Sequence, residues 1–393
     1  MERIRLLFLT LLPWLAVVLC AGLSCLLWQS QLLHKWDYKL LRYYQQLDPA
    51  IPELPIELVT IKKIDGQAWP WSSLDYAILL NTLSPFSPSV MALDLPIEEG
   101  DPLYPIYDIQ LANQMARFPS VIISQTSPRS VPAPFVSAAN TAPSRWLQSP
   151  NQPLEKVALA LWTNNTWQAS FALQVVASHL GADWSASKIL PNEHITLRNK
   201  ENKLLLTIPV DAECRTLIHY NIFSKKADAT EFYSAIISAE DLRNGGSGLE
   251  GFHEIRRRII LVGTEAPGTY SPVTSPAGAL PSVYLQDQTL RQLLSQRFTS
   301  ELNSFFYLLI IVSACSAAGA FALIPSRPVS LSLLLVYLTL CLLGSYFSYE
   351  LGKIWWHLFP LLFGVALSWF TARCLSLLSR LDQEKQRELF EDF

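Results

Sequence analysis

Glu57–Trp71 reads ELVTIKKIDGQAWPW, and how this stretch is read decides what the chain around it becomes. Leu58, Thr60 and Lys62 alternate with Val59, Ile61 and Lys63, and the β-branched content favours a strand. Asp65-Gly66 breaks that strand. Trp69-Pro70-Trp71 follows as a bulky, stiff loop, because proline fixes its own φ and restricts the residue before it. Ser72-Ser73 stands where it can cap a helix from Leu74. A loop that carries this much apolar area packs down on something.

Working outward, the neighbouring segments keep a strand–helix rhythm. Leu32–Leu47 reads as an amphipathic helix, and Pro49, Pro52 and Pro55 lead from it into the first strand. Leu74–Leu83 is helical, Ser89–Leu95 (SVMALDL) is a buried strand, Asp108–Phe118 is helical and Ser120–Ser124 is a strand. This alternation signals βαβ units, a sheet covered by helices. Thr126–Pro153, rich in Pro, Ser and Ala, reads as a long surface loop. Lys156–Trp162 reads as a strand, and Trp167–Leu180 as a helix with Gly181 as its C-cap. His194–Leu197 and Leu204–Pro209 form a hairpin, and Thr216–Tyr220 is a strand. Arg258–Gly263 (RIILVG) is the best buried strand, and Tyr284–Leu294 a helix.

The composition points to a membrane. The chain has 393 residues, of which 50% are hydrophobic and only 16% charged, so it is far from the disordered class. A net charge of −3 gives no electrostatic case for nucleic acid. Four apolar runs, Leu6–Trp28, Phe305–Ile324, Val329–Tyr346 and Ile354–Leu378, are each about long enough to span a bilayer, which takes roughly 20 residues. The first run continues through Cys25-Leu26-Leu27-Trp28 where a signal-peptide cleavage site would stand, so it is read as an uncleaved anchor.

Arg3 and Arg5 hold the N-terminus in the cytoplasm by the positive-inside rule, which puts Gln29–Ser304 outside. Arg327 then falls inside, as do Arg373, Arg380, Lys385 and Arg387 at the end of the fourth run. Five of six cysteines lie in the apolar runs, leaving Cys214 alone outside them with no disulfide partner; a bacterial periplasm suits that usage. The expected fold is an α/β ectodomain, a mixed sheet covered by helices, inserted between transmembrane helices 1 and 2 of a four-helix membrane part. The expected boundaries are 1–28 for the first span, 29–304 for the ectodomain, 305–378 for three further spans and 379–393 for a short cytoplasmic amphipathic tail.

The chain resembles the CHASE2 extracellular sensory domain of bacterial membrane proteins. The resemblance is carried by WDYKLLR after the first span, Ile64-Asp65, the WPW of Trp69–Trp71, SVMALDLPIEE, Asp108 in DIQLANQM, TIPVD, LIHYN, SAEDL and IILVGTEAPG. One span before the domain and three after it are the family's usual arrangement. Ser72-Ser73, Ser271 and Leu285-Gln286 stand where the family usually has an arginine, an aspartate and a histidine-alanine pair. Such domains usually feed a cyclase or kinase; here the chain stops at Phe393, so the resemblance implies output through a separate protein.

Chemistry is sparse. Asp94, Glu98, Glu99, Asp101 and Asp108 lie at and beyond the end of a strand, where α/β sheets hold ligands. They suit a cation or a basic ligand, although the calcium-loop spacing is absent and a solvated acidic loop is the plainer reading. Gly263–Gly268 (GTEAPG) is a turn able to present backbone N–H groups to an anion, or a tight turn packed under WPW. The ligand-site candidates are therefore Trp69, Trp71, Asp94, Glu98, Asp108, Thr264 and Glu265. The six histidines show no HExxH, and there is no GxSxG and no Walker lysine, so no catalytic residue, metal or cofactor is expected.

Two function classes fit. One is a membrane-bound sensor whose periplasmic domain binds an unidentified cue and signals through its helices to a separate cyclase or kinase. The other is a non-signalling envelope interaction or assembly protein. The partners implied are the membrane, a periplasmic ligand and a second copy of the chain as a homodimer. Leu377, Leu381, Leu389 and Phe393 form a stripe that extends the last span as an amphipathic helix in need of a protein partner.

Overall fold

The computed structural model describes residues 2–30, 32–49, 54–61, 71–95, 97, 104–125, 132–144, 154–163, 165–219, 235–237, 257–264, 273–275 and 278–391. The chain divides into two compact units, one of Met1–Leu47 with Thr299–Phe393, the other of Asp48–Phe298. In chain order the helices are α1 (Glu2–Gln29), α2 (His34–Leu47), α3 (Ser73–Leu83), α4 (Pro105–Met115), α5 (Ala133–Ala138), α6 (Phe171–Leu180), α7 (Ser282–Ser295), α8 (Ser304–Ala322), α9 (Arg327–Gly352) and α10 (Leu358–Glu391).

The unit Asp48–Phe298 is built on a six-stranded sheet of β1 (Ile56–Ile61), β2 (Val90–Asp94), β3 (Val121–Gln125), β4 (Asn140–Pro143), β12 (Ala235–Ile237) and β13 (Ile259–Thr264). Its order is β12-β1-β13-β2-β3-β4, and every neighbouring pair is parallel. The expected mixed sheet thus resolves into a parallel main sheet, with antiparallel pairing confined to smaller sheets. These are β5 (Lys156–Ala158) with β11 (Arg215–Leu217), β6 (Ala160–Thr163) with β7 (Thr166–Ala169), and β14 (Val273–Ser275) with β15 (Gly278–Leu280). β8 (Lys188–Leu190), β9 (His194–Arg198) and β10 (Leu204–Pro209) form a three-stranded antiparallel sheet.

Period-two alternation sorts each main strand between two cores. Val59, Ile61, Met91, Leu93, Ile123, Ile260 and Val262 meet Tyr76, Leu79 and Leu80 of α3, Leu111 and Met115 of α4, and Phe135 of α5. Ile56, Leu58, Val90, Ala92, Ile122, Ile259 and Leu261 meet Phe171, Val175 and Val176 of α6 and Val283, Leu290 and Leu293 of α7. Burial on both faces is what a parallel sheet demands, and it is why these strands read as near-continuous apolar runs.

Two expectations change. The stretch expected as one long surface loop contains α5 and β4, anchored by fully buried Phe135 and by Ala142 at 2% exposure. One apolar anchor per element, amid Pro and Ser, is too faint a pattern to read. Trp167 belongs to β7, not to a helix; it faces Trp162 across a tight hairpin in which Asn165 takes φ 61°. Helix α6 starts later, where the Ser170 hydroxyl accepts from Leu173 N. Arg258, just before β13, pairs with Glu57 of β1 at 2.6 Å. The expected caps are present: Ser72 accepts from Asp75 N at the start of α3, and Gly181 ends α6 at φ 68°.

In the other unit, α8, α9 and the Leu358–Leu381 part of α10 are long and apolar enough to cross a membrane. α1 and α2 form a pair bent by 74°. Both α1 and α8 pack along α10. Gly364 allows a close approach there, since a Cβ at this position would collide with the Ser24 side chain. The fourth apolar run becomes helical only at Leu358, because Ile354–Trp355 (β17) pairs with Ser300–Glu301 (β16). Arg373 lies inside α10, 7% exposed, and donates to Ala322 O at 3.0 Å, Ile324 O at 2.7 Å and Pro325 O at 3.3 Å. It thereby satisfies carbonyls that the end of α8 leaves open.

Candidate functional site

The carboxyl ends of β1, β13, β2 and β3 form one edge of the main sheet, and β12 lies on the far side of β1 from β2, β3 and β4. Crevices at such an edge are the usual ligand positions of parallel sheets. Register lines up a polar row there. Thr60 pairs with Gly263, Gly263 with Asp94, and the Leu93–Ile123 pair sets Ser124 beside Asp94. By parity all four face the side covered by α6 and α7.

Helix α7 closes over this row. Val283 packs so tightly on Gly263 that a Cβ there would collide with it. The Ser282 hydroxyl donates to Asp94 Oδ2 at 3.0 Å. Asp94 is 1% exposed, and its Oδ1, Thr60 Oγ1 and Ser124 Oγ are buried without a hydrogen-bond partner among the described residues. Buried oxygens left open in this way are uncommon and mark a place for a proton, a water or a polar ligand atom. Burial pushes the Asp94 carboxyl above the usual carboxylate range, with the hydrogen bond from the Ser282 hydroxyl opposing the shift.

The remaining described candidates occupy the opposite face. Asp108, in the first turn of α4, accepts from Ser73 Oγ of α3 at 2.5 Å. Trp71, 6% exposed, packs on Tyr76 with ring centroids 5.7 Å apart. Thr264 Oγ1 donates to Ile61 O at 3.3 Å. The structure therefore separates Asp94 from Asp108, which the sequence groups as one acidic cluster. Asp94 shares the parity of Val90 and Ala92 and points under α7, whereas α4 packs on the other side. Trp69, Glu98, Glu99, Asp101, Glu265, Asp65-Gly66 and the turn beyond Thr264 lie outside the described residues. Among the described residues no group of three acidic, His or Cys side chains is placed to hold a metal ion. Cys214 is fully buried, and burial together with nearby Asp211 pushes its thiol up to about 11, so it is chemically quiet.

Several polar residues escaped the sequence reading. Helix α7 buries Gln286, Gln288 and Gln292, each spent on a distant partner. Gln286 donates to Ser144 Oγ at 2.7 Å, Gln288 to His219 O at 2.6 Å and Gln292 to Leu217 O at 2.7 Å. In the helical unit, Asp37 of the WDYKLLR segment is fully buried and accepts from Phe359 N at 2.9 Å, holding the start of α10. His357 Nδ1 lies 3.3 Å from Asp37 Oδ2, and its ring stacks on His34 at 4.3 Å. Only tertiary partners give these residues a meaning, and no local pattern announces them.

The raised Asp94 carboxyl makes a prediction. A proton held more tightly in the folded state contributes stability that is complete below the unfolded carboxylate range, near pH 4. That contribution is lost as pH rises through the folded-state value. Asparagine cannot ionise, so Asp94→Asn should gain stability relative to the parent as pH rises from about 4 to 7. Burial raises the Asp287 carboxyl as well, but that residue is common to both proteins and cancels in the difference. Melting both proteins across this range checks the point; a difference independent of pH would show that Asp94 stays charged throughout.

A parallel α/β unit with a polar carboxyl edge, in a chain that also holds three helices apolar enough to cross a membrane, defines the class. The family model of the CHASE2 domain matches residues 15–321, and the chain belongs to that family of sensory domains. No curated protein and no solved structure matches the chain.

Proposed function

We propose that this protein is a membrane-bound sensor of the bacterial cell membrane. Its α/β unit stands in the periplasm between the first and second spans of a four-helix membrane part, with both termini in the cytoplasm. The unit binds a cue at the carboxyl edge of its sheet, with Trp71, Asp94, Asp108 and Thr264 as contact candidates, and Trp69, Glu98 and Glu265 as further candidates from the sequence alone. The helices carry the change to a separate cyclase or kinase. No catalytic step is assigned to the chain.

The family match carries this reading, because it runs from the first apolar helix through the whole α/β unit into α8. The helical unit adds support. Arg373 is bonded to Ile324 O and Pro325 O, three and two residues from Arg327, so two basic residues sit at one end of the helices. That is the charge pattern of a cytoplasmic end.

The test combines topology with output. Cysteines introduced at Asn151 should label from outside the inner membrane, and those at Arg327 and Glu388 only after the cytoplasm is opened. A photoreactive residue at Leu389, on the α10 extension, should capture a cytoplasmic protein in cells. Labelling of Arg327 from outside would reverse the sensing direction and end the proposal. Capture of lipid alone at Leu389 would favour a non-signalling envelope protein.

A further inference from the structure

Beyond the carboxyl edge, the α/β unit carries a cleft of about 600 Å³ beside the outer strand β4. Its size falls in the range of small-molecule sites, roughly 300–1,000 Å³. None of Trp71, Asp94, Asp108 and Thr264 lines it, and among the described residues that line it none is charged. The walls instead combine two indoles with side-chain amides: Trp167 and Gln168 from β7, Trp184, Asn140 from β4, Gln174 from α6 and Gln125 from the end of β3.

We infer that this cleft binds a neutral oligosaccharide. Both indoles are half-buried, seated against the core along one edge, and they line the cleft with what remains. A flat apolar ring face suits the C–H face of a sugar ring, and a half-buried tryptophan offers it at little cost in conformational entropy. The amides of Asn140, Gln168 and Gln174 make no side-chain hydrogen bond among the described residues. Each offers a donor group and an acceptor together, which is what adjacent sugar hydroxyls require. An ionic ligand finds no counter-charge among the described residues of these walls, which favours a neutral ligand.

The walls are also fixed before any ligand arrives. Trp167 is buttressed by Trp162 at 5.3 Å between ring centroids. Trp184 sits in a turn pinned by Asp183, whose carboxylate accepts from Ser185 N at 2.9 Å and Ser185 Oγ at 2.8 Å. The Asp183 carbonyl accepts from Ser187 Oγ at 2.7 Å. Preorganisation of this kind lowers the entropic cost of binding.

The test is calorimetric titration of the full chain in lipid nanodiscs with tri- and tetrasaccharides of glucose and of N-acetylglucosamine. At least one should bind saturably. Trp184→Ala should weaken it by about tenfold or more, and Trp184→Phe by less. Gln168→Ala and Asn140→Ala alter exposed side chains, so they should melt like the parent and still weaken binding severalfold. Three results would overturn the inference: no saturable heat from any of these sugars with the parent melting intact, an affinity unchanged by Gln168→Ala and Asn140→Ala, or an extended peptide along β4 that binds and protects the cleft where sugars do not. Binding is read here directly, so a failure of the signalling proposal leaves the result interpretable.

Discussion

His219→Ala is expected to destabilise the α/β unit by about 1–3 kcal/mol, the range for taking away one side of a buried hydrogen bond. His219 Nε2 lies 2.8 Å from Asp48 Oδ2, and the two side chains are 3% and 4% exposed. The backbone around His219 is held independently: Gln288 donates to its carbonyl, and its own N–H donates to Gln292 Oε1 at 3.1 Å. Alanine keeps those backbone bonds and takes away only the imidazole, so the cost isolates the loss to the Asp48 carboxylate. Asp48→Asn, which keeps the shape and a hydrogen-bonding group, should cost less. Adding it to His219→Ala should recover part of the loss, because a buried amide tolerates the missing imidazole better than a carboxyl group does. Unfolding of the full chain in nanodiscs, followed by hydrogen exchange in the α/β unit, measures all three. A His219→Ala protein with parent-like exchange would mean that solvent reaches the pair.

The main sheet was legible because its signals are local. ELVTI, SVMALDL and RIILVG carry their two-sided burial in the sequence itself, and each appears as a strand within a residue or two of its expected bounds. Ser72 and Gly181 announce helix ends by chemistry that acts over three or four residues. The order of the strands was not legible. Nothing near Arg258 says that β13 inserts between β1 and β2, or that β4 extends the sheet. The helical unit shows the same divide. Three apolar runs became long helices, whereas the diversion of Ile354-Trp355 into pairing with Ser300-Glu301 depends on residues more than fifty positions away.

The candidate site divides in the same way. Asp94 stands out in the sequence as a carboxylate ending an apolar strand. Its partner Ser282 is 188 positions away. Thr60 and Ser124 look like ordinary strand residues until register sets them in one row with Asp94. Asp108 looked like part of the same cluster because sequence distance is blind to which face of a sheet a helix covers. The glutamines of α7 carry no local sign of burial, yet they are buried and span the gap to Ser144, Leu217 and His219. These bonds hold other segments to α7, the helix that closes over Asp94, so residues remote from the row help to fix its roof.

Trp71→Ala should cost about 3–5 kcal/mol, the range for deleting a buried large aromatic. Trp71 is 6% exposed and belongs to the core in which β1 and β13 meet α3 and α4. It contacts Tyr76, one turn into α3, and stands directly before the Ser72 cap. Its removal opens a void at the point where the chain enters its first crossover helix. Neighbouring side chains cannot collapse into that space easily, because α3 is fixed from the other side by Ser73 donating to Asp108. Trp71→Phe fills most of the space and keeps the contact with Tyr76, so it should lose markedly less. Thermal melting of both variants separates the two possible roles of this tryptophan. A large loss for alanine and a small one for phenylalanine identify it as a packing residue that shapes the sheet edge. If the alanine variant melts like the parent, the ring contributes nothing to the core, and its place beside the carboxyl edge then makes it a contact for the cue.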